Sequence, residues 1–313
     1  MMSRQRLFKI LIIWIFLIAV TALLGKTSVA SDNGQTAADF LNIGVGARGA
    51  AMGGAFTSVS DDATSLYWNP AGLMQLNSSQ VVFSHFSWYQ DINYEYIAVA
   101  YPALDKWTFG AAASYLSYGS IEGYDINDEP TGEITSTYDL ATSLSAAYRV
   151  NDAFSVGLTA KYIVVSLAGL SGAALAADIG TRYDMEKVSF GLAAVNLGQN
   201  MDIDGISEKL PAAVRAGFAV KPFGPSVLTS LEVCNPFYGD LSISNGYEFN
   251  YQNRYYARTG FSYIPAQDGR EFGQSLSFGV GALMGPAHFD YTFSPNEKST
   301  SESIHRFSII LDF

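Results

Sequence analysis

The sequence predicts an all-β protein: a transmembrane antiparallel β-barrel of about 14 strands, with an N-terminal hatch or plug segment inside the lumen. Three observations carry this. Most of the chain alternates apolar and polar residues with period two over long segments. Short polar turns alternate with longer polar gaps between those segments. The N-terminus reads as an export leader. Composition agrees, with 49% apolar and 14% aromatic residues, only 15% charged residues, and 29 glycines.

Residues 1–30 are expected to be a cleavable signal peptide. Arg4, Arg6 and Lys9 form a positive n-region, Ile10 to Gly25 is an uncharged apolar run, and Ser28-Val29-Ala30 offers small residues for cleavage. The run is shorter than the ~20 residues a spanning helix needs. Losing this leader removes Arg4, Arg6, Lys9 and Lys26 and no acid, so a chain of formal net charge −11 becomes more acidic. Such a surface repels phosphate backbones and excludes nucleic acid as a partner.

Residues 31–78 are expected to form the hatch. Asp39 to Leu76 crowds Gly44, Gly46, Gly49, Gly53, Gly54 and Gly72 among small side chains, with neither strand alternation nor a helical period in its glycine-rich half. It cannot bury enough apolar surface to stand alone. Glycine lets it lie tightly against other backbone.

Residues 79–313 are expected to form the barrel, with strands near 81–89, 94–101, 107–118, 136–150, 154–166, 171–183, 187–198, 210–220, 226–235, 241–251, 254–264, 272–283, 287–294 and 303–313. Tyr138, Leu140, Thr142, Leu144, Ala146, Tyr148 and Val150 show the alternation most plainly. The gaps 119–135, 199–209, 265–271 and 295–302 are expected to project outward. Tyr162 to Ala177 is uncharged, yet Gly169-Leu170-Ser171-Gly172 interrupts it, so a hairpin is expected rather than a membrane helix. A soluble β-sandwich would share the period. Aromatics bracketing the strands, the even strand count and the last strand favour the barrel. That strand sets Phe307, Ile309, Leu311 and Phe313 on one face and ends on the aromatic, resembling the insertion signal read by the barrel-assembly machinery of bacterial outer membranes.

Several local motifs invite a chemical reading. Gly44 to Gly49 matches G-x-G-x-x-G, but no βαβ unit surrounds it and the acids Asp61 and Asp62 come too early for a dinucleotide site. Those acids lack the ligand count for calcium and read as a turn or helix cap. Arg48 within a hatch needs a carboxylate or carbonyls, with Asp139, Asp178 and Glu232 as candidates. Asn69-Pro70 is expected to fix a turn, followed by Ala71 and Gly72, with Tyr67 and Trp68 packed nearby. His85, His288 and His305 have no metal-ligand spacing. His288 and Asp290 share a strand face without an accompanying nucleophile motif. Cys234 reads as a small buried residue. No catalytic residue, metal or cofactor is expected.

Two segments carry a family resemblance: F-L-N-I-G-V-G-A-R-G-A-A-M-G-G-A-F at Phe40 to Phe56 and D-D-A-T-S-L-Y-W-N-P-A-G-L at Asp61 to Leu73, with a weaker echo at Asn245 to Phe261. With the strand pattern, the chain resembles FadL-type outer-membrane barrels, and more closely their PorV/PorQ-type branch. The resemblance implies a 14-stranded outer-membrane barrel with a hatch, embedded in outer-membrane lipid and not an enzyme. PorV/PorQ-type members imply an accessory role in type IX secretion and cell-surface delivery, with translocon components and cargo signal domains as partners. FadL-type members imply instead transport of long-chain fatty acids or other hydrophobic small molecules.

Overall fold

The computed structural model describes residues 36–88, 92–124, 127, 129–265, 273–295 and 303–313. The signal-peptide expectation for 1–30 lies outside the described residues, as do most of the gaps 265–271 and 295–302.

The strands are β1 (Gln80–Ser87), β2 (Asn93–Leu104), β3 (Trp107–Tyr124), β4 (Pro130–Asn151), β5 (Phe154–Leu167), β6 (Leu170–Met185), β7 (Val188–Gly198), β8 (Met201–Ile203), β9 (Ile206–Glu208), β10 (Ala213–Val220), β11 (Val227–Pro236), β12 (Ser242–Tyr251), β13 (Tyr255–Ile264), β14 (Gly273–Met284), β15 (Ala287–Ser294) and β16 (Ile304–Asp312). All but β8 and β9 form one closed antiparallel barrel of 14 strands, in chain order round the wall, closed by β1 against β16 from Gln80↔Asp312 to Ser87↔His305. Tight turns such as Asp105-Lys106, Glu186-Lys187 and Gly285-Pro286 share one end with the start of β1. The longer connections share the other.

The alternation separates two faces. Outward positions such as Ile97, Leu144, Leu158 and Val280 are exposed, whereas the intervening Thr159, Asp178 and Arg182 are buried. An apolar exterior round a polar-lined bore is the membrane-barrel pattern. In β16, Phe307, Ile309 and Leu311 point outward, and Phe313 follows the strand at 70% exposure.

Of the expected loops, one is an extended hairpin and one folds inward. The gap 119–135 largely continues the β3–β4 ladder through Ser120↔Ser136, Ile121↔Thr135 and Glu122↔Ile134, after an irregularity at Ser117/Ser120 where Gly119 takes φ 79. Glu122 and Glu133 fall on this extended hairpin, where Ile121, Ile134 and Thr135 supply β propensity. The gap 199–209 folds inward: β8 and β9 pair as a small hairpin, and Met201 is fully buried beside Ala174 and Ala176 of β6. The expected β5–β6 hairpin is present, turning at Ala168-Gly169 with φ 49 and 87.

The core lies in the bore. Phe40, Met52, Phe56, Leu66, Trp68 and Leu73 of the N-terminal segment are buried against inward wall residues. Each such large side chain contributes about 1.5–3 kcal/mol.

Candidate functional site

Residues 36–76 fill the barrel as short helical turns: 3-10 at Asp39–Asn42, α at Ala47–Ala51, α at Ser65–Trp68 and 3-10 at Pro70–Gln75. They sit on glycines of the wall as much as on their own. Gly157↔Gly180, Gly191↔Gly217 and Gly246↔Gly260 face each other across neighbouring strands. A Cβ on Gly157 would overlap Pro70 and Ala71, one on Gly191 would overlap Thr57, and one on Gly260 would overlap Met52 and Gly53. The wall thus removes side chains where hatch backbone approaches it.

The hatch glycines serve the same closeness. Gly44 and Gly49 lie under the Trp68 ring, where a Cβ would come within 2.8 and 2.9 Å, and Gly72 lies against Ser60. Gly46, Gly53 and Gly54 occupy turns at φ 76, 65 and 82 round the Ala47–Ala51 helix. Asn69 is both cap and strut: its Oδ1 accepts from Ala71 N at 3.1 Å, while Nδ2 donates to Thr57 O at 2.9 Å and Thr181 O at 3.1 Å. Pro70 opens the following 3-10 turn, where its missing N–H costs nothing. Wall side chains complete the seat. Glu232 accepts from Phe56 N and Thr57 N at 3.0 and 2.8 Å, and Arg182 donates to Val59 O and Ser60 O at 2.7 and 2.8 Å.

At the short-turn end a charged network ties hatch to wall. Arg48 pairs with Asp61 at 2.5 Å and with Glu248 at 2.8 Å, and lies 3.4 Å from Asp62. Arg258 binds Glu248 at 2.6 Å and Asp290 at 2.5 Å. None of the three carboxylates expected for Arg48 meets it. Asp139 accepts from Tyr118, Asp178 pairs with Lys161 at 2.7 Å, and Glu232 holds hatch N–H groups. Register decides this: the hatch presents Arg48 to β12 and β13, opposite Glu248↔Arg258. Asp62 also accepts from Thr64 N at 2.8 Å, the local cap expected of it. Burial pushes its carboxyl up, and Arg48 beside it pulls the other way. His288 and Asp290 go to different partners, Asp312 at 3.4 Å and Arg258. His85 pairs with Glu95, and His305 with Tyr291.

The long-loop end is different. A cavity of about 650 Å³ opens between hatch and wall, floored by Tyr67 and Trp68 and reached by Arg215 and Arg306. Serines of β12 to β14 line the stretch of wall between Arg215 on β10 and Arg306 on β16. Cys234, expected to be buried, is only partly so and lines this cavity. Trp68 Nε1 donates to Val45 O at 3.1 Å and Tyr67 OH to Leu41 O at 3.0 Å, so the aromatic floor belongs to the hatch's own fastening. Sequence reasoning missed Arg215, Glu248, Arg258 and the wall glycines. The available signal was a charge or glycine at an inward strand position, such as Arg215 between Val214 and Ala216.

The fold matches solved outer-membrane proteins. The toluene transporter TbuX of Ralstonia pickettii is similar at 16% identity and TM-score 0.58, over 86% of this chain and 97% of that chain. The toluene transporter TodX of P. putida gives 15% and 0.58, over 86% and 99%. A Pseudomonas aeruginosa FadL homologue gives 11% and 0.57, over 86% and 98%. At these identities the likeness is one of fold, and the fold is that of a FadL-like barrel. No curated protein matches the sequence. Residues 17–223, more than half of the chain, match the model described as Uncharacterised protein family (UPF0164), and the chain belongs to that family.

Proposed function

We propose that this protein is a non-enzymatic outer-membrane barrel that takes up a small organic solute through the cavity at its long-loop end. Residues 79–313 form the barrel and residues 31–78 the hatch beneath the cavity. The observation that carries the reading is that cavity of about 650 Å³, floored by Tyr67 and Trp68. It lies within a fold similar to the toluene transporters TbuX and TodX. Its volume falls in the range of small-molecule sites. Outer-membrane lipid surrounds the apolar band, and the outward Phe307, Ile309, Leu311 and Phe313 are the insertion signal for the assembly machinery. Uptake of labelled toluene and of a long-chain fatty acid by cells with and without the protein tests the reading. Faster uptake of either with the protein is expected. Equal uptake, together with no binding of either to the purified barrel, would overturn it.

One observation favours a second reading. Below the cavity the hatch fills the middle of the bore, with a second, smaller cavity of about 280 Å³ at the short-turn end beside Arg48, Glu248 and Asp290, and the hatch is fastened to strands on every side, for example Phe56 to Glu232, Val59 to Arg182 and Ala47 to Ser308. An immobile hatch suits a scaffold, as in a PorV/PorQ-type accessory of type IX secretion, with the extended β3–β4 hairpin as docking surface. Co-purification with a cargo signal domain would support this reading. Normal secretion after clean deletion would remove it.

A further inference from the structure

The outward face of the wall carries a cluster that uptake through the bore does not use. His85 and Ser87 lie at the long-loop end of β1, and their spacing of two puts both on one face of the strand. That face is the outward one, shared with the exposed Phe83, whereas Phe86 between them lines the cavity. Cross-strand register sets Glu95 of β2 beside His85 and Asn93 beside Ser87. The side chains meet. His85 Nδ1 lies 2.6 Å from Glu95 Oε1, Ser87 Oγ lies 3.5 Å from His85 Nε2, and the same Oγ donates to Asn93 Oδ1 at 2.8 Å. Among the described residues Glu95 Oε2 is buried without a hydrogen-bond partner, so this carboxylate answers to the imidazole.

A hydroxyl, an imidazole and a carboxylate joined in that order, through the two different ring nitrogens, are the parts of an acyl-transfer site. The contact from Ser87 to His85 is long, as such contacts often are before a substrate tightens them. Asn93 carries an amide whose N–H groups can meet a developing oxyanion. The surroundings point to the substrate. Phe83 stands in register between Ile97 and Ile309, and Phe307 stands beside His85, all of them exposed on the outer wall. An acyl chain lying along Phe83, Ile97 and Ile309 would bring its ester to Ser87, where the apolar band gives way to polar groups.

We propose that β1 and β2 carry a lipid-ester hydrolase site on the membrane face of the wall, with Ser87 as nucleophile, His85 as base and acid, Asn93 as oxyanion donor and Glu95 as positioning residue. Ser87 Oγ bonds to the ester carbonyl carbon, and its proton passes to His85 Nε2. The ester C–O bond breaks, and the departing lysolipid alcohol takes that proton. Water then attacks the acyl-serine, giving its proton to His85, which returns it to Ser87 Oγ as the fatty acid leaves. One water is consumed per fatty acid released. This goes beyond the uptake reading and is independent of it: the bore remains non-enzymatic, and the chemistry lies on the outside of the wall.

The experiment reconstitutes the full barrel in vesicles of phosphatidylcholine, with and without a galactosyl diacylglycerol of different acyl chain, and follows fatty-acid release by mass spectrometry. Release from at least one lipid is expected, and the chain released identifies the source. Ser87→Ala and His85→Ala should each lower it about 100-fold or more. Glu95→Gln should lower it about tenfold or more, and Glu95→Asp should restore part of the loss. A fluorophosphonate should modify Ser87 in the unaltered barrel, as located by peptide mapping. If the variants do not fold, that adduct decides the matter, and its absence would overturn the inference. Release from neither lipid, or release that Ser87→Ala leaves unchanged, would overturn it too. Either result leaves the uptake test standing on its own, since Ser87 lies outside the bore.

Discussion

The two ends of the lumen use the same residue type to opposite effect. At the short-turn end Arg48 and Arg258 are surrounded by Asp61, Asp62, Glu248 and Asp290, and charge answers charge. At the long-loop end Arg215 is stacked on the hatch's aromatics and keeps one buried nitrogen unpaired. The first arrangement locks a segment in place by ion pairs; the second holds a guanidinium by aromatic rings. A guanidinium's role is therefore set by how many carboxylates the register brings to it, which the residue alone does not reveal.

The largest effect should come from breaking the locked end. Arg258→Ala leaves Glu248 and Asp290 buried beside each other without their shared cation. It should cost about 3–5 kcal/mol, read from urea unfolding in lipid vesicles. By contrast, Arg215→Gln should cost less by the same measurement, because the buried Glu232 loses a neighbouring charge but keeps its hydrogen bonds to Phe56 N and Thr57 N. If the two cost the same, the contrast between the ends is wrong.

A smaller effect sharpens the role of backbone contact. Gly260→Ala places a methyl group into Met52 and Gly53. Expected is a loss of about 1–3 kcal/mol, with faster protease cleavage within residues 36–76. The smallest effect concerns Asp62. Burial penalises the charge of its carboxyl and offsets part of what Arg48 contributes, so an amide of the same shape replaces it at little expense. Asp62→Asn should change unfolding by about 0.5 kcal/mol, whereas Asp62→Ala, which also removes the cap on Thr64 N, should cost about 1 kcal/mol more.

Much of the wall was legible because period two is a local property. The outward faces of β4 to β6 and the last strand could be read residue by residue. So could the glycine-rich hatch, since a segment without core or period must lean on something else. What could not be read depends on register between distant strands. Arg48 lies 200 positions from Glu248. Nothing local separates Glu248 from Asp139, Asp178 or Glu232, each an inward acid on an alternating strand. The inward fold of 199–209 was hidden for a similar reason. Its mostly polar residues resemble any exposed connection, and it is held inside by Met201, Ile203 and Leu210 and by Gln199 N on Leu175 O. The wall glycines were visible as letters, but their cross-strand pairing was not.

The place where the cylinder closes also has a consequence for how it is made. Ser308 donates to Ser84 across the seam between last strand and first, and the same hydroxyl accepts from Ala47 N. Gln80, at the foot of that seam, reaches both Asp312 and Ala63 N. Hoop and stopper thus share the same fasteners, and a chain trimmed ahead of Gln80 would lose part of its own clasp together with the stopper.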